Sequence, residues 1–148
     1  MMKQIPYGLT DFGRIQKENY YYVDKTMFIE KIEMQPSYLF LIRPRRFGKS
    51  LTLAMLEAYY DVRYADQFDE LFGKLYIGQH PTPIHNQFLI MRFNFSEVSS
   101  NINEVEESFR MHCCGKLSDF VYRYEHLLGK DIWKVLDEKT KELKVKGL

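Results

Sequence analysis

Two stretches of the chain have the apolar character of buried β-strands. Residues 38–42 are uniformly apolar, as expected for a parallel strand that is covered on both faces. Residues 88–95 form a second run, with apolar side chains on both of its faces. Between them, residues 50–60 carry apolar positions at helical spacing. The pattern therefore predicts an α/β fold, a parallel sheet flanked by helices and joined by a right-handed crossover.

The remaining pattern predicts helices and loops around this sheet. We expect helices at residues 25–34, capped by Asp24, at 68–72, at about 103–128 and at 131–144, with Gly129 as a break. Residues 1–22 and 79–86 contain Gly or Pro and are predicted to be irregular. A complete sheet of this class needs more strands than this pattern offers. We therefore expect an incomplete sheet with an open apolar edge, which favours self-association.

The candidate chemistry lies between the first predicted strand and its helix. Strand, tight loop, Gly-Lys-Ser and helix follow in the order that a phosphate-binding loop requires. Gly48 allows the backbone to approach a phosphate closely, and the first amides of the helix point at the anion. We predict that Lys49 reaches the terminal phosphates of a nucleotide and that the Ser50 hydroxyl binds Mg²⁺. The predicted nucleotide-binding residues are Arg43, Pro44, Arg45, Arg46, Phe47, Gly48, Lys49, Ser50 and Leu51.

The loop departs from the general GxxxxGK[ST] pattern at its first position. Arg43 stands where that pattern has a glycine. Three arginines within four residues add positive charge where phosphates would lie, and Pro44 stiffens the loop. The alternative interpretation is a basic surface turn that contains Gly-Lys-Ser by chance.

The loop also resembles a known family when it is taken together with three segments before it. These segments are Ile5-Pro6-Tyr7-Gly8, Asp11-Phe12 and Tyr22-Val23-Asp24-Lys25-Thr26. The chain resembles the start of the bacterial AAA-ATPase-like family, in which arginine is typical at the first loop position. Members often carry a nuclease-like domain of the PD-(D/E)XK type further along. The resemblance implies that residues 1–148 are the N-terminal part of one P-loop domain, with ATP and Mg²⁺ as cofactors and ATPase activity in the intact parent.

A hydrolysing P-loop enzyme also needs an acidic residue at the end of an apolar strand. The best imitation in the sequence is Asp137-Glu138, but Lys134 interrupts the preceding run and the spacing around it is helical. A solvated helix face is therefore the favoured interpretation of this pair. The catalytic acid stays unassigned, and we expect the chain alone to hydrolyse ATP negligibly.

Charge and residue composition limit the classes of partner, metal site and location that we expect. The formal net charge is +1, so no overall field favours nucleic acid or a membrane. Cys113 and Cys114 are neighbours and are predicted to be reduced thiols, and the four histidines lack metal-ligand spacing. No apolar run has the length of a membrane span, and no signal peptide is apparent, so we expect a cytoplasmic protein.

Three functions remain open from the sequence. The first is ATP binding through the loop. The second is a module whose arginines and Lys49 grip nucleic-acid phosphates without nucleotide turnover, with nucleic acid as a partner of the full-length protein. The third is a degenerate P-loop domain that serves protein assembly. The aromatic residues Phe12 and the tyrosines at 20–22 could stack on a base, although a packing role is favoured.

Overall fold

The structure is a computed structural model that describes residues 3–44 and 46–145. The chain divides into two compact units, the first ending at Leu89 and the second beginning at Ile90. The first unit holds helices α1 (Phe12–Lys17), α2 (Phe28–Glu33), α3 (Lys49–Tyr60), α4 (Phe68–Phe72) and α5 (Tyr76–Gln79), with a 3₁₀ helix at Val62–Gln67. The second unit holds a 3₁₀ helix at Phe95–Glu97 and helices α6 (Val105–Arg123) and α7 (Glu125–Val145).

The predicted α/β fold with a parallel sheet is wrong for the part of the chain that the structure describes, because no strand occurs there. Residues 38–42 have no regular secondary structure, and residues 88–95 contribute only one isolated parallel bridge, between Asp61 and Phe88. The side chains of Tyr38, Phe40 and Ile42 are 88%, 91% and 90% exposed. A strand is held by backbone hydrogen bonds to a neighbour, and apolar character alone does not supply that neighbour.

The core of the first unit is instead built from aromatic side chains on short helices. The Phe72 ring lies 5.0 Å from the Phe12 ring, 5.4 Å from the Tyr59 ring and 5.3 Å from the Phe68 ring, measured between centroids. Phe12, Tyr59 and Phe72 are fully or almost fully buried. Such rings bury large apolar areas and prefer tilted or edge-on contacts, so they can close a core without a sheet. The packing role favoured for Phe12 is confirmed.

Helix α1 lies within residues 1–22, for which the glycines and the proline predict irregular structure, so this prediction is wrong for Phe12–Lys17. The side chain of Asp11 caps this helix by accepting a hydrogen bond from the Arg14 amide at 3.0 Å. The cap fixes the first turn and directs Phe12 and Ile15 into the interior, where both are buried.

The other helix predictions are confirmed with shifted bounds. Helix α3 begins at Lys49 and ends at Tyr60, almost as expected, and α4 matches residues 68–72. Helix α2 begins only at Phe28, and Met27, not Asp24, occupies its N-cap position. The predicted helix at 103–128 ends at Arg123, and Gly129, with φ of 72°, lies as a kink inside α7.

The second unit is a pair of long helices that pack on each other. Cys114, Val121 and Tyr124 are its buried residues. The Tyr124 hydroxyl accepts a hydrogen bond from the Ile90 amide at 2.9 Å and ties the start of the unit to the α6–α7 junction. Both Cys113 and Cys114 are free thiols, as predicted. Among the described helices, none combines the length and apolarity that crossing a membrane requires.

Candidate functional site

The loop before α3 is shaped by two residues with left-handed backbone conformations. Arg46 has φ of 67° and Gly48 has φ of 74°. Gly48 is the N-cap of α3, and its carbonyl accepts from both the Thr52 amide at 2.8 Å and the Thr52 hydroxyl at 3.0 Å. A β-carbon on Gly48 would meet no atom within 4 Å, so the space beside this backbone is open. The result is a tight turn that delivers an exposed helix N-terminus.

That N-terminus presents unpaired backbone donors. The amides of Lys49, Ser50 and Leu51 have no acceptor among the described residues. Unpaired amides and the positive end of the helix dipole together attract an anion. Helix α3 has 12 residues, so its dipole is fully developed at this end. The turn and the helix start predicted here thus form without the sheet that was expected beside them.

The cationic side chains of the loop are mostly exposed. Arg46 and Lys49 are exposed, and Arg43 is half-buried and donates to the Phe47 carbonyl at 3.4 Å. Within the described part of the chain, no carboxylate pairs with these three cations. Arg45, which was also predicted to bind phosphate, lies outside the described residues. Positive charge therefore gathers around the unpaired amides without internal neutralisation.

The other predicted residues occupy the same turn. Pro44, Phe47 and Ser50 are exposed, and Leu51 is half-buried. The Phe47 amide donates to the Pro44 carbonyl at 3.4 Å, which closes the turn. The structure thus brings the described members of the predicted set together in one loop and the first turn of α3.

An apolar cavity of about 540 Å³ adjoins the loop, and we call it the apolar cavity below. Its wall is formed by residues of the 21–25 segment, of α2, of the 39–43 segment and of α3. Arg43, Gly48 and Leu51 belong to both the loop and this wall. The volume lies within the range of small-molecule sites, in which apolar walls surround a few polar groups.

Tyr22 and Tyr21 both line the apolar cavity, although they differ in burial. Burial, aided by the nearby Asp24 carboxylate, raises the pKa of Tyr22 to about 12. Tyr22 therefore stays a neutral phenol at physiological pH, and its ring packs edge-on against Phe12 at 5.5 Å between centroids. Tyr21 is 56% exposed and is the more accessible of the two rings.

Comparison with known proteins establishes the family. The family described as Predicted AAA-ATPase, or AAA-ATPase-like, matches residues 6–147. The chain belongs to this family. The resemblance drawn from the loop and the preceding segments is confirmed.

One curated relative is named as an uncharacterized protein in the vnfD 5′ region of Azotobacter chroococcum mcd 1. It is 49% identical over 55 residues, a stretch that covers 36% of this chain and 11% of that protein. The match thus spans only a small part of the relative's length. No solved structure matches the chain.

The acidic pair Asp137-Glu138 lies in α7, the last helix. Asp137 lies in α7 and forms an ion pair with Lys141 at 2.5 Å, one helical turn away. This is the solvated helix face that the sequence favoured for the pair. Among the described residues, no group of three His, Cys, Asp or Glu side chains could hold a metal ion.

Sequence reasoning missed one part of the site. Asp24 was predicted to cap a helix, but its side chain accepts hydrogen bonds from the Thr26 amide at 2.8 Å and from the Tyr76 amide at 2.7 Å. Tyr76 lies 52 residues further along the chain, so no local pattern could reveal this contact. Lys25, between Asp24 and Thr26, lines the apolar cavity. The resemblance of residues 22–26 to the family was the signal in the sequence that pointed to this segment.

Proposed function

We propose that the chain binds ATP, as its Mg²⁺ complex, through the loop at residues 43–51. The observation that carries the proposal is the set of unpaired amides at Lys49, Ser50 and Leu51, which follow the left-handed Gly48. Membership of a family of predicted ATPases supports a nucleotide as the anion. ATP hydrolysis in a longer parent protein is part of the same proposal.

The roles of the loop residues follow from their chemistry. The three amides bind phosphate oxygens, and the Lys49 ammonium adds a point charge on the terminal phosphates. Arg43 and Arg46 add charge around the same anion. The exposed Ser50 hydroxyl, in the first turn of α3, is an oxygen ligand of the kind that Mg²⁺ accepts alongside phosphate oxygens. Bound Mg²⁺ would neutralise phosphate charge.

The apolar cavity supports a ligand with an uncharged part as well as phosphates. Its wall shares Arg43, Gly48 and Leu51 with the loop, so a ligand held at the amides is adjacent to apolar surface. Exposed aromatic rings in that wall, such as Tyr21, can contact a planar group.

The test is a calorimetric titration of ATP with millimolar Mg²⁺ into the parent chain and two variants. Lys49→Ala should weaken binding by about 10- to 150-fold, because a hydrogen bond to a charged group contributes roughly 1.5–3 kcal/mol. The matched control is Lys74→Ala, since Lys74 is exposed in the same unit and lies outside both the loop and the cavity wall. The control should bind ATP like the parent.

A parallel titration with a short DNA duplex at two salt concentrations separates the alternatives. Binding of the duplex with a steep salt dependence, without ATP binding, would replace the proposal with the nucleic-acid module. A response to neither ligand would favour a degenerate domain that serves assembly. Equal ATP affinity of Lys49→Ala and the parent would show that the site is wrongly placed.

A further inference from the structure

The segment at residues 24–26 is fixed from both sides to the body of the first unit. The Asp24 carboxylate accepts from the Thr26 amide at 2.8 Å, the Thr26 hydroxyl at 2.7 Å and the Tyr76 amide at 2.7 Å. Thr26 is fully buried, and its hydroxyl oxygen accepts from the Ile77 amide at 3.1 Å. Both anchors thus hold the start of α5, 51 or 52 residues away in sequence.

Lys25 lies between these two anchors and is exposed. It lines the apolar cavity, whose wall also contains Arg43 and Gly48 of the loop. Within the described residues, its ammonium group has no ion-pair or hydrogen-bond partner. The neighbouring Asp24 does not neutralise it through contact, because both of its carboxylate oxygens accept from other donors.

A buried threonine, a carboxylate with three hydrogen bonds and an exposed lysine in three consecutive positions form a specific arrangement. Asp24 and Thr26 fix the backbone on each side of Lys25, so the direction in which this residue leaves the chain is set before any ligand binds. A lysine side chain loses roughly 2 kcal/mol of rotamer entropy when a ligand fixes it, but the backbone of Lys25 is already held by its neighbours, so binding requires no further backbone ordering. The arrangement therefore favours contact with a ligand in the cavity over a freely moving surface charge.

We infer that Lys25 is a second cation of the nucleotide site, which binds a phosphate group from a part of the wall separate from the loop. Asp24 and Thr26 are positioning residues that act through Lys25. The inference rests on the proposed function, because the loop must first hold the phosphates. It assigns to the site a cation that lies 24 residues before Lys49 in the sequence.

The experiment compares ATP and adenosine binding to the parent, Lys25→Gln, Lys25→Arg and the exposed control Lys74→Gln. Lys25→Gln should weaken ATP binding about tenfold, and it should reduce the dependence of ATP affinity on salt because one charge contact is lost. Adenosine, which lacks phosphates, should bind the parent and Lys25→Gln with equal affinity. Lys25→Arg should keep most of the affinity, and Lys74→Gln should match the parent.

A second variant tests the positioning role. Thr26→Val removes the hydroxyl that accepts from the Ile77 amide. Valine has nearly the same shape as threonine, and the charge of Lys25 is unchanged. We expect a several-fold loss of ATP affinity with an unchanged salt dependence, because the lysine remains but is less well placed. Thermal unfolding of each variant shows whether the first unit stays folded, and Lys25→Met, which also removes the charge, provides the charge test if Lys25→Gln is destabilised.

The outcomes distinguish this inference from the proposed function. If the parent binds ATP and Lys49→Ala does not, but Lys25→Gln keeps the parent's affinity and salt dependence, Lys25 is not a ligand residue and the loop site stands. If Lys25→Gln weakens adenosine and ATP equally, Lys25 does not contact phosphate. If the parent does not bind ATP, both proposals are wrong.

Discussion

Arg46 allows the stability of the loop and its function to be measured separately. This residue has φ of 67°, a left-handed conformation that costs a residue with a side chain roughly 1–2 kcal/mol. Its side chain is exposed and has no ion-pair partner in the described part of the chain. The folded structure therefore gains nothing visible from the arginine that would offset the backbone strain. Strain of this kind collects at ligand sites.

The substitution Arg46→Gly tests this reasoning because it changes the two properties in opposite directions. Glycine adopts the same φ freely, but it adds about 0.5–1 kcal/mol of chain entropy to the unfolded state. The net expectation is a gain of about 0.5 kcal/mol in the free energy of unfolding. The loss of one cationic contact should weaken ATP binding by about tenfold or more. The variant should thus be slightly more stable and a poorer binder.

Urea unfolding followed by circular dichroism measures the first quantity, and calorimetric titration with ATP and Mg²⁺ measures the second. A gain of 0.5 kcal/mol corresponds to a midpoint shift of roughly 0.2–0.5 M urea. Arg46→Lys is the matched control, because it keeps both the charge and the strain and should resemble the parent. A loss of more than about 1 kcal/mol in Arg46→Gly would refute the strain argument. Unchanged ATP affinity would remove Arg46 from the site.

Three further predictions concern the core, pH and turnover. Phe72→Ala should lower the free energy of unfolding by about 3–5 kcal/mol in urea, because the ring is fully buried among three others. Tyr7→Ala, at a ring that is 97% exposed, should change it by less than about 0.5 kcal/mol, and equal losses would contradict the aromatic core. Burial raises the pKa of Tyr22 to about 12, above roughly 10 in the unfolded chain, so its stabilising contribution is complete below pH 10 and lost as the pH rises towards 12. Tyr22→Phe should reduce that alkaline loss in unfolding experiments, and an identical pH profile would argue against it. Steady-state phosphate release by the chain should stay far below about 1 s⁻¹, and turnover near that value that vanished in Asp137→Asn would show that the acid was misassigned.

The sequence predicted the loop and α3 because their signals are local. Gly48, Lys49 and the apolar spacing of the following helix determine a turn and a helix start within a few residues. The predicted strand at 38–42 failed because its evidence was apolar character alone. A strand also requires a partner, and a stretch whose side chains partly line a cavity has the same composition as a buried strand.

The site was only partly predictable for a similar reason. Asp24 precedes a helical pattern, so a helix cap was the natural local interpretation. Its observed partners include the amide of Tyr76, which the chain reaches only after three α-helices and a 3₁₀ helix. The position of Lys25 depends on this distant contact, and spacing within the segment could not reveal it. The assignment of residues 1–148 to the N-terminal part of one domain and the cytoplasmic location stay predictions.

The exposed stretch at residues 38–42 has a consequence for the digestion of the native protein. Tyr38 and Phe40 carry almost fully accessible aromatic rings on a segment without regular secondary structure. A chymotrypsin-like protease has a hydrophobic slot for such rings and needs local access to the chain, which this segment offers without global unfolding. Early cleavage should therefore fall between α2 and the loop and separate Lys25 from Lys49. The rate of this cleavage, followed by mass spectrometry, measures how accessible residues 38–42 are to the protease and falls when the stretch is covered.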